Sequence, residues 1–249
     1  MYVLKGQDMA KLSDWIRRKR PTVCSAVVVA AGSSRRMGED KLKMRLGGMP
    51  VLARTLKALQ QSDTVGEIVV VTRVDKLEET ALLCRDYGIT KAKKVVAGGE
   101  SRTESALAGL MAVDKHSKLV MIHDGARPLV REETIRAAAH AAALYGCAAP
   151  AVPVTDTVKL REGDRVKATL PRSELAAMQT PQVFESTIIK TALTKALTEG
   201  KEYTDDCAAV EALGFPVRLT EGDGENIKIT TPLDLARAEL IIREREAGA

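Results

Sequence analysis

Aromatic residues are nearly absent from this sequence: one Trp, four Tyr and two Phe amount to 3% of its 249 residues. That scarcity argues against a single-stranded nucleic-acid platform, whose bases stack on exposed rings. Long apolar runs are missing too. None approaches the ~20 residues of a membrane-spanning helix, and the N-terminus has no signal-peptide apolar region. The four cysteines, Cys24, Cys84, Cys147 and Cys207, show no Cys-x-x-Cys spacing and read as reduced core thiols in a cytoplasmic protein. Most of the chain also lacks a surplus of one charge. The net charge is +5, but residues 1–20 carry +4 through Lys5, Lys11, Arg17, Arg18, Lys19 and Arg20 against Asp8 and Asp14, leaving +1. No basic face for nucleic acid is implied.

Residues 1–20 are read as a basic N-terminal extension in which Leu4, Met9, Leu12, Trp15 and Ile16 have partial helical spacing before Pro21. Two readings stand: an amphipathic appendage for a membrane surface or a partner, or a solvated extension without chemistry. Residues 21–249 are read as one domain. A hydrophobic content of 45% beside 29% charged residues suits a globular α/β chain of this size.

The stretch that organises this domain is Ala30-Ala31-Gly32-Ser33-Ser34-Arg35-Arg36-Met37-Gly38-Glu39-Asp40-Lys41, directly after the apolar run Cys24 to Val29 and before the amphipathic segment Pro50 to Leu59. Strand, phosphate loop and helix are the expected elements. Gly32 lets the backbone approach a ligand, the serines add hydroxyls, and Arg35, Arg36 and Lys41 bring charge. It is not a Walker A loop, because Glu39-Asp40 follows Gly38, and the Gly-x-Gly-x-x-Gly dinucleotide fingerprint is absent.

Beyond it, strands at Glu67–Thr72, Lys94–Ala97 and Leu119–Ile122 alternate with helices at Lys76–Tyr87, from the Ser101/Glu104 capping box to Val113, and at Arg131–Tyr145. Their continuous apolar character predicts an α/β fold: a mainly parallel, Rossmann-like sheet with helices on both faces. A strand at Gly146–Val152 follows. Thr157 to Leu170 then alternates about Glu162-Gly163-Asp164, the pattern of a protruding two-stranded β-arm at about 155–171. A lone ribbon is marginal in water, so a second subunit is its expected packing partner, making a homodimer. The remaining expectations are a helix at Glu185–Glu199, a short helix to Leu213 capped by Thr204 or Asp205, a strand at Val217–Thr220, a loop and short strand at Gly224–Ile229, and a last helix opened by Thr231-Pro232. Gly32 to Lys41, Gly98 to Ser105 and His123 to Arg127 all follow strands, so they should converge on one site beyond the carboxyl edge.

These blocks, with Pro153 to Thr157, Thr180-Pro181-Gln182, Thr204-Asp205-Asp206 and Asn226-Ile227-Lys228-Ile229-Thr230, make the sequence similar to the 2-C-methyl-D-erythritol 4-phosphate cytidylyltransferases of the non-mevalonate isoprenoid pathway. The resemblance covers nearly everything from Cys24 onward. It departs at Val29, where many members have proline, and between Met37 and Lys41, where many are longer. It implies transfer of CMP from CTP to 2-C-methyl-D-erythritol 4-phosphate, with Mg²⁺ and release of pyrophosphate. By resemblance, Arg36 and Lys41 stabilise the transition state, and Arg172 and Lys228 position the acceptor phosphate. Ala30, Ala31, Gly32, Gly98, Gly99 and Ser105 are expected around the nucleotide. Asp124 is expected near the ribose or the metal, and Arg127, Thr157, Thr180 and Thr204 near the acceptor. The arm would carry Thr157 and Arg172 into the partner's site. Alternative readings are a ribitol 5-phosphate cytidylyltransferase and a non-catalytic nucleotide-binding protein on the same scaffold.

The chemistry suits the residues. A phosphate monoester, with its second pKa at ~6, is largely dianionic at neutral pH and already a nucleophile, so no general base is required and His116, His123 and His140 need no catalytic role. The two glycines are expected to leave room for backbone groups to read a small pyrimidine. With Asp124 as the one acidic residue expected at the site, the metal is expected to be held mainly by the triphosphate. Catalysis is expected from positioned cations and amides. Lys228→Ala and Arg36→Ala are each expected to lower turnover by about 10²–10³ with the fold intact; steady-state pyrophosphate release beside circular dichroism checks this, and near-normal turnover in either contradicts the assignment.

Overall fold

The computed structural model describes residues 22–32 and 40–248. The chain enters β1 (Cys24–Val29), forms a tight hairpin of β2 (Arg45–Leu46) and β3 (Met49–Pro50), and continues through α1 (Val51–Gln61), β4 (Val65–Thr72), α2 (Leu77–Asp86) and β5 (Ala92–Ala97). It then runs through α3 (Arg102–Ala112), β6 (Leu119–Asp124), α4 (Glu132–Tyr145) and β7 (Cys147–Pro153) to the arm strands β8 (Lys159–Glu162) and β9 (Arg165–Thr169). Last come β10 (Ala176–Met178), β11 (Gln182–Glu185), α5 (Ser186–Thr198), α6 (Asp206–Glu211), β12 (Arg218–Glu221) and α7 (Pro232–Ala247). The basic extension, Ser33 to Glu39 and therefore Arg36 lie outside the described residues.

The eight-stranded sheet has the order β10-β7-β11-β6-β1-β4-β5, with β12 pairing with β7. β5, β4, β1 and β6 are parallel, as the apolar runs within them predict; β11 enters antiparallel between β6 and β7. Alternate residues of each strand feed opposite cores. Ala26, Val28, Ile68 and Val70 pack with α1, α2, α4 and α7, whereas Val27, Val69 and Val71 pack with α3, α5 and α6. Helices therefore cover both faces. α3 lies close on the sheet because Gly109 has no side chain: a Cβ there would come within 2.3 Å of Val27 Cγ1.

Both expected caps are formed. Ser101 with Glu104 opens α3, and Thr231 with Asp234 opens α7 behind Pro232 at its first turn. Asp205, not Thr204, caps α6 by accepting the Ala208 N–H at 2.9 Å. The expected strand at Gly224–Ile229 is not formed. Its backbone turns at Asp223 to Glu225 and meets the rest of the fold through one ladder-like bond, Ile229 N–H to Ala126 O at 2.8 Å. The β2–β3 hairpin was not anticipated, although its Gly47-Gly48 turn, with φ of 54° and 81°, is the sequence signal of such a turn. The arm is as expected: β8 and β9 pair antiparallel about Gly163, and every residue of both strands is exposed.

Candidate active site

The strand order dictates where a ligand can sit. From β1 the chain steps through β4 to β5 on one side, then returns through α3 to place β6 on the other side of β1. This reversal opens a crevice at the carboxyl ends of β1 and β6. Val29 is in register with Asp124, so Ala30 to Gly32 and Asp124 to Ala126 face each other across it. The capped N-terminus of α3 closes the third side.

The result is a cleft of two lobes. The first is lined by Ala30, Ala31, Gly32, Lys41, Gly99, Ser105, Asp124 and Lys228 among others. The second has walls from Arg127, Thr180, Thr204 and Asp205. Arg102, Asp124 and Lys228 line both. Lys228 and the Gly32 turn, nearly two hundred positions apart, thus meet at one site. Thr157 and Arg172 line neither lobe. They lie at the base of the arm, where Arg172 Nη1 donates to Thr155 O at 2.6 Å.

Gly98 stands behind the wall and Gly99 lines it, and the pair also has a packing reason to be glycine. A Cβ on Gly98 would come 2.5 Å from Ser105 Oγ and 2.8 Å from Ala31 Cβ; one on Gly99 would come 2.4 Å from Glu104 Cβ. The glycines let this loop lie against both the first turn of α3 and the Ala31 loop. Ser105 spends its hydroxyl on Ser101 O at 2.9 Å.

Asp124 is the electrostatic centre. Its Oδ2 lies 3.0 Å from Lys228 Nζ and 3.4 Å from Arg127 Nε, and its Oδ1 is 4.0 Å from Arg102 Nη2. Burial alone would raise its pKa, but Lys228, Arg102 and Arg127 together outweigh burial and hold it at about 2. It is ionised at any working pH, and its stabilising contribution is lost only as the pH falls below about 4 toward 2.

His123, fully buried one residue earlier, holds rather than reacts. Its ring contacts Arg127 O through Nε2 at 3.2 Å and Thr180 Oγ1 through Nδ1 at 3.0 Å, while the Asp124 N–H donates to the same hydroxyl at 3.1 Å. Those contacts form a consistent chain when Nε2–H donates to Arg127 O and the Thr180 O–H donates to Nδ1. Burial pushes the ring's pKa down to about 4, against the pull of Asp124. Thr180, foreseen near the acceptor, thus spends its hydroxyl on the end of β6.

The segment carrying Lys228 is pinned from several sides. Asn226 Nδ2 donates to Thr180 O at 2.9 Å, and Arg127 Nη1 donates to Asn226 O at 2.7 Å. Glu225 is gripped by Arg131 and by Arg245, whose Nε lies 2.8 Å from its Oε2. The sequence reading also passed over a role for Arg102, which makes a two-pronged ion pair with Asp206 at 2.8 and 2.6 Å. Its partner lies 104 positions away, so no local spacing signals the pair.

No group of three or more His, Cys, Asp or Glu among the described residues has the arrangement of a metal cage. One ionised carboxylate beside a roomy cleft fits Mg²⁺, which uses one or two carboxylates and takes its other ligands from substrate phosphates and water.

The family profile described as 2-C-methyl-D-erythritol 4-phosphate cytidylyltransferase matches residues 24–244. The chain is 46% identical over 224 residues to the protein of that name from Halalkalibacterium halodurans, covering 89% of this chain and 98% of that one. It is 47% identical over 225 residues to the protein of the same name from Caldanaerobacter subterraneus subsp. tengcongensis, covering 88% and 99%. Among solved structures it is similar to the 4-diphosphocytidyl-2C-methyl-D-erythritol synthase of Anaerococcus prevotii, with a TM-score of 0.80, 30% identity and coverage of 90% of this chain and 100% of that one. The 2-C-methyl-D-erythritol 4-phosphate cytidylyltransferase of Thermus thermophilus gives 0.73 and 32%, covering 87% and 98%.

The neutral His123 ring has a stability consequence. Its contribution is complete above pH 6.5; as the pH falls from 6.5 toward about 4, the unfolded chain takes up a proton that the folded one refuses, and stability is lost. In urea melts, wild type is expected to lose about 2 kcal/mol more than His123→Asn between pH 7 and pH 5; parallel losses would show that the ring is not held neutral.

Proposed function

The chain belongs to the 2-C-methyl-D-erythritol 4-phosphate cytidylyltransferase family, and we propose that it transfers CMP from CTP to 2-C-methyl-D-erythritol 4-phosphate in isoprenoid precursor biosynthesis. The products are 4-diphosphocytidyl-2-C-methyl-D-erythritol and pyrophosphate. The observation that carries the reading is the wall of Arg102, Asp124 and Lys228 common to two lobes. One lobe suits a nucleotide and the other a polyol phosphate, and the reacting phosphates meet at that wall.

CTP takes the first lobe, with its base toward Ala30, Ala31, Gly99 and Ser105 and its phosphates toward Gly32, Arg36 and Lys41. The acceptor takes the second, beside Arg127, Thr180 and Thr204. Its dianionic phosphate attacks the α-phosphorus, the α–β bridging P–O bond breaks, and pyrophosphate leaves with that electron pair. No proton has to be removed from the nucleophile. The cations oppose the repulsion between two anions and take up the charge that grows on the α-phosphoryl oxygens. Lys228 has two states in this scheme: paired with Asp124 in the free protein, and drawn to phosphate when the substrates bind. Asp124 is then available to a ribose hydroxyl or to Mg²⁺ carried on the triphosphate. Bound there, the ion would neutralise phosphate charge and help the leaving group depart.

We place Thr157 and Arg172 in the site of a second subunit, reached by the exposed arm on which Leu160 and Val166 show 47% and 64% of their surface. We read residues 1–20 as an extension to the catalytic unit of 21–249. The cytoplasm is its proposed compartment, since the four buried cysteines are unpaired. No helix among the described residues is long and apolar enough to cross a membrane.

Pyrophosphate release measured with CTP, UTP and ATP against methylerythritol phosphate and ribitol 5-phosphate tests the activity. CTP with methylerythritol phosphate is expected to dominate; preference for ribitol 5-phosphate, or CTP binding without release, would replace this reading with one of its alternatives. The shared site is tested by mixing Arg172→Ala with Lys228→Ala dimers under exchange conditions. Each is expected to be nearly inactive alone, and the mixture to recover about a quarter of the wild-type rate; no recovery would put both residues in the same subunit's site.

A further inference from the structure

Arg102 stands where the two lobes join, at the first position of α3. Its guanidinium is held end-on by Asp206, Nη1 donating to Oδ1 at 2.8 Å and Nη2 to Oδ2 at 2.6 Å. Asp206 is itself fixed: it is buried at 1% exposure, and its N–H and that of Cys207 donate to Gln182 Oε1 at 3.1 and 3.2 Å. Gln182 in turn donates to the Asp205 carboxylate at 2.8 Å. The guanidinium plane is therefore set by a chain of contacts that reaches back into β11.

A guanidinium has five N–H donors, and the end-on pair uses two. Among the described residues the other three have no hydrogen-bond partner. The nearest carboxylate beyond Asp206 is Asp124, 4.0 Å from Nη2, an ion-pair separation too long for a hydrogen bond. With 28% of the side chain exposed, the edge made by Nε–H and the outer Nη2–H, on the Asp124 side, meets the cleft. An arginine whose charge was needed only to balance Asp206 has no reason to lie at the seam of two lobes.

We propose that Arg102 is a further catalytic residue, the open N–H donors of its Nε/Nη2 edge binding oxygens of the α-phosphate and of the attacking acceptor phosphate at the seam, and that Asp206 is the positioning residue that sets its plane. The inference rests on the cytidylyltransferase reading. Arg102 keeps its protons throughout; it bridges two anions as their oxygen and phosphorus approach, a geometry that a planar fork permits and a single ammonium does not.

Arg102→Ala alone leaves the Asp206 carboxylate buried and unpaired, which threatens the fold. Arg102→Lys and the double variant Arg102→Ala/Asp206→Asn avoid this in the full-length chain. Arg102→Lys is expected to lose about 10² in kcat with CTP affinity by calorimetry and the thermal midpoint close to wild type. In the double variant, added guanidinium ion is expected to restore part of kcat while sodium at equal ionic strength does not. Turnover of Arg102→Lys within about fivefold of wild type, or a loss that tracks CTP affinity and thermal midpoint alone, overturns the role. A wild-type chain that releases no pyrophosphate with any acceptor sinks the underlying reaction instead, so the two failures are distinct.

Discussion

A buried carboxylate at the end of a central strand organises this molecule's chemistry. Asp124 draws Lys228, Arg127 and Arg102 from three separate parts of the chain to within 3.0–4.0 Å. Without that anion, Lys228 and Arg127 would lose their nearest carboxylate and face each other and Arg102 across a confined cleft. With it, the free protein holds the cations together, and in the proposed reaction incoming phosphates would exchange one anionic partner for another. Little reorganisation is then needed at the moment of transfer.

The surroundings keep Asp124 in place. Its amide is bonded to Thr180, which is bonded to His123, whose other ring nitrogen meets Arg127 O. A neutral histidine serves here because its two nitrogens can donate on one side and accept on the other, spanning a gap that neither an aliphatic residue nor a charged ring would fill. Lys228 is steadied differently. Its segment is irregular backbone, and Asn226, Glu225 and Arg127 fasten it from the side-chain level. A lysine on an anchored loop keeps the freedom to move its ammonium between two partners, which a lysine packed within a helix would lack.

Much of the architecture was legible in the sequence. Continuous Val and Ile runs separated by capped helices specify parallel strands buried on both faces, and the Ser101/Glu104 and Thr231/Asp234 boxes mark helix starts to within a residue. The alternating segment about Gly163 could only be a ribbon. Where the reading went astray, long-range contact was the cause. Ile227 and Ile229 look like a strand locally, but only the Ile229 N–H reaches across, to Ala126 O, while the Ile227 N–H turns back to Glu225 O. Gly98 and Gly99 also serve packing that no local pattern signals, since their missing side chains let the loop lie against Ser105, Ala31 and Glu104.

Composition and order along the chain determined the fold class, the three loops that follow strands, and the residue types able to bind phosphate, because these depend on periodicity and on local backbone chemistry. They also determined the family, through motifs spread from Cys24 onward. Tertiary structure alone decided that β6 lies beside β1 rather than β5, which opens the crevice, and that Asp124 faces Lys228 while Arg102 finds Asp206. Such pairings join residues about a hundred positions apart. Their energies depend on burial and distance, which exist only once the sheet has formed.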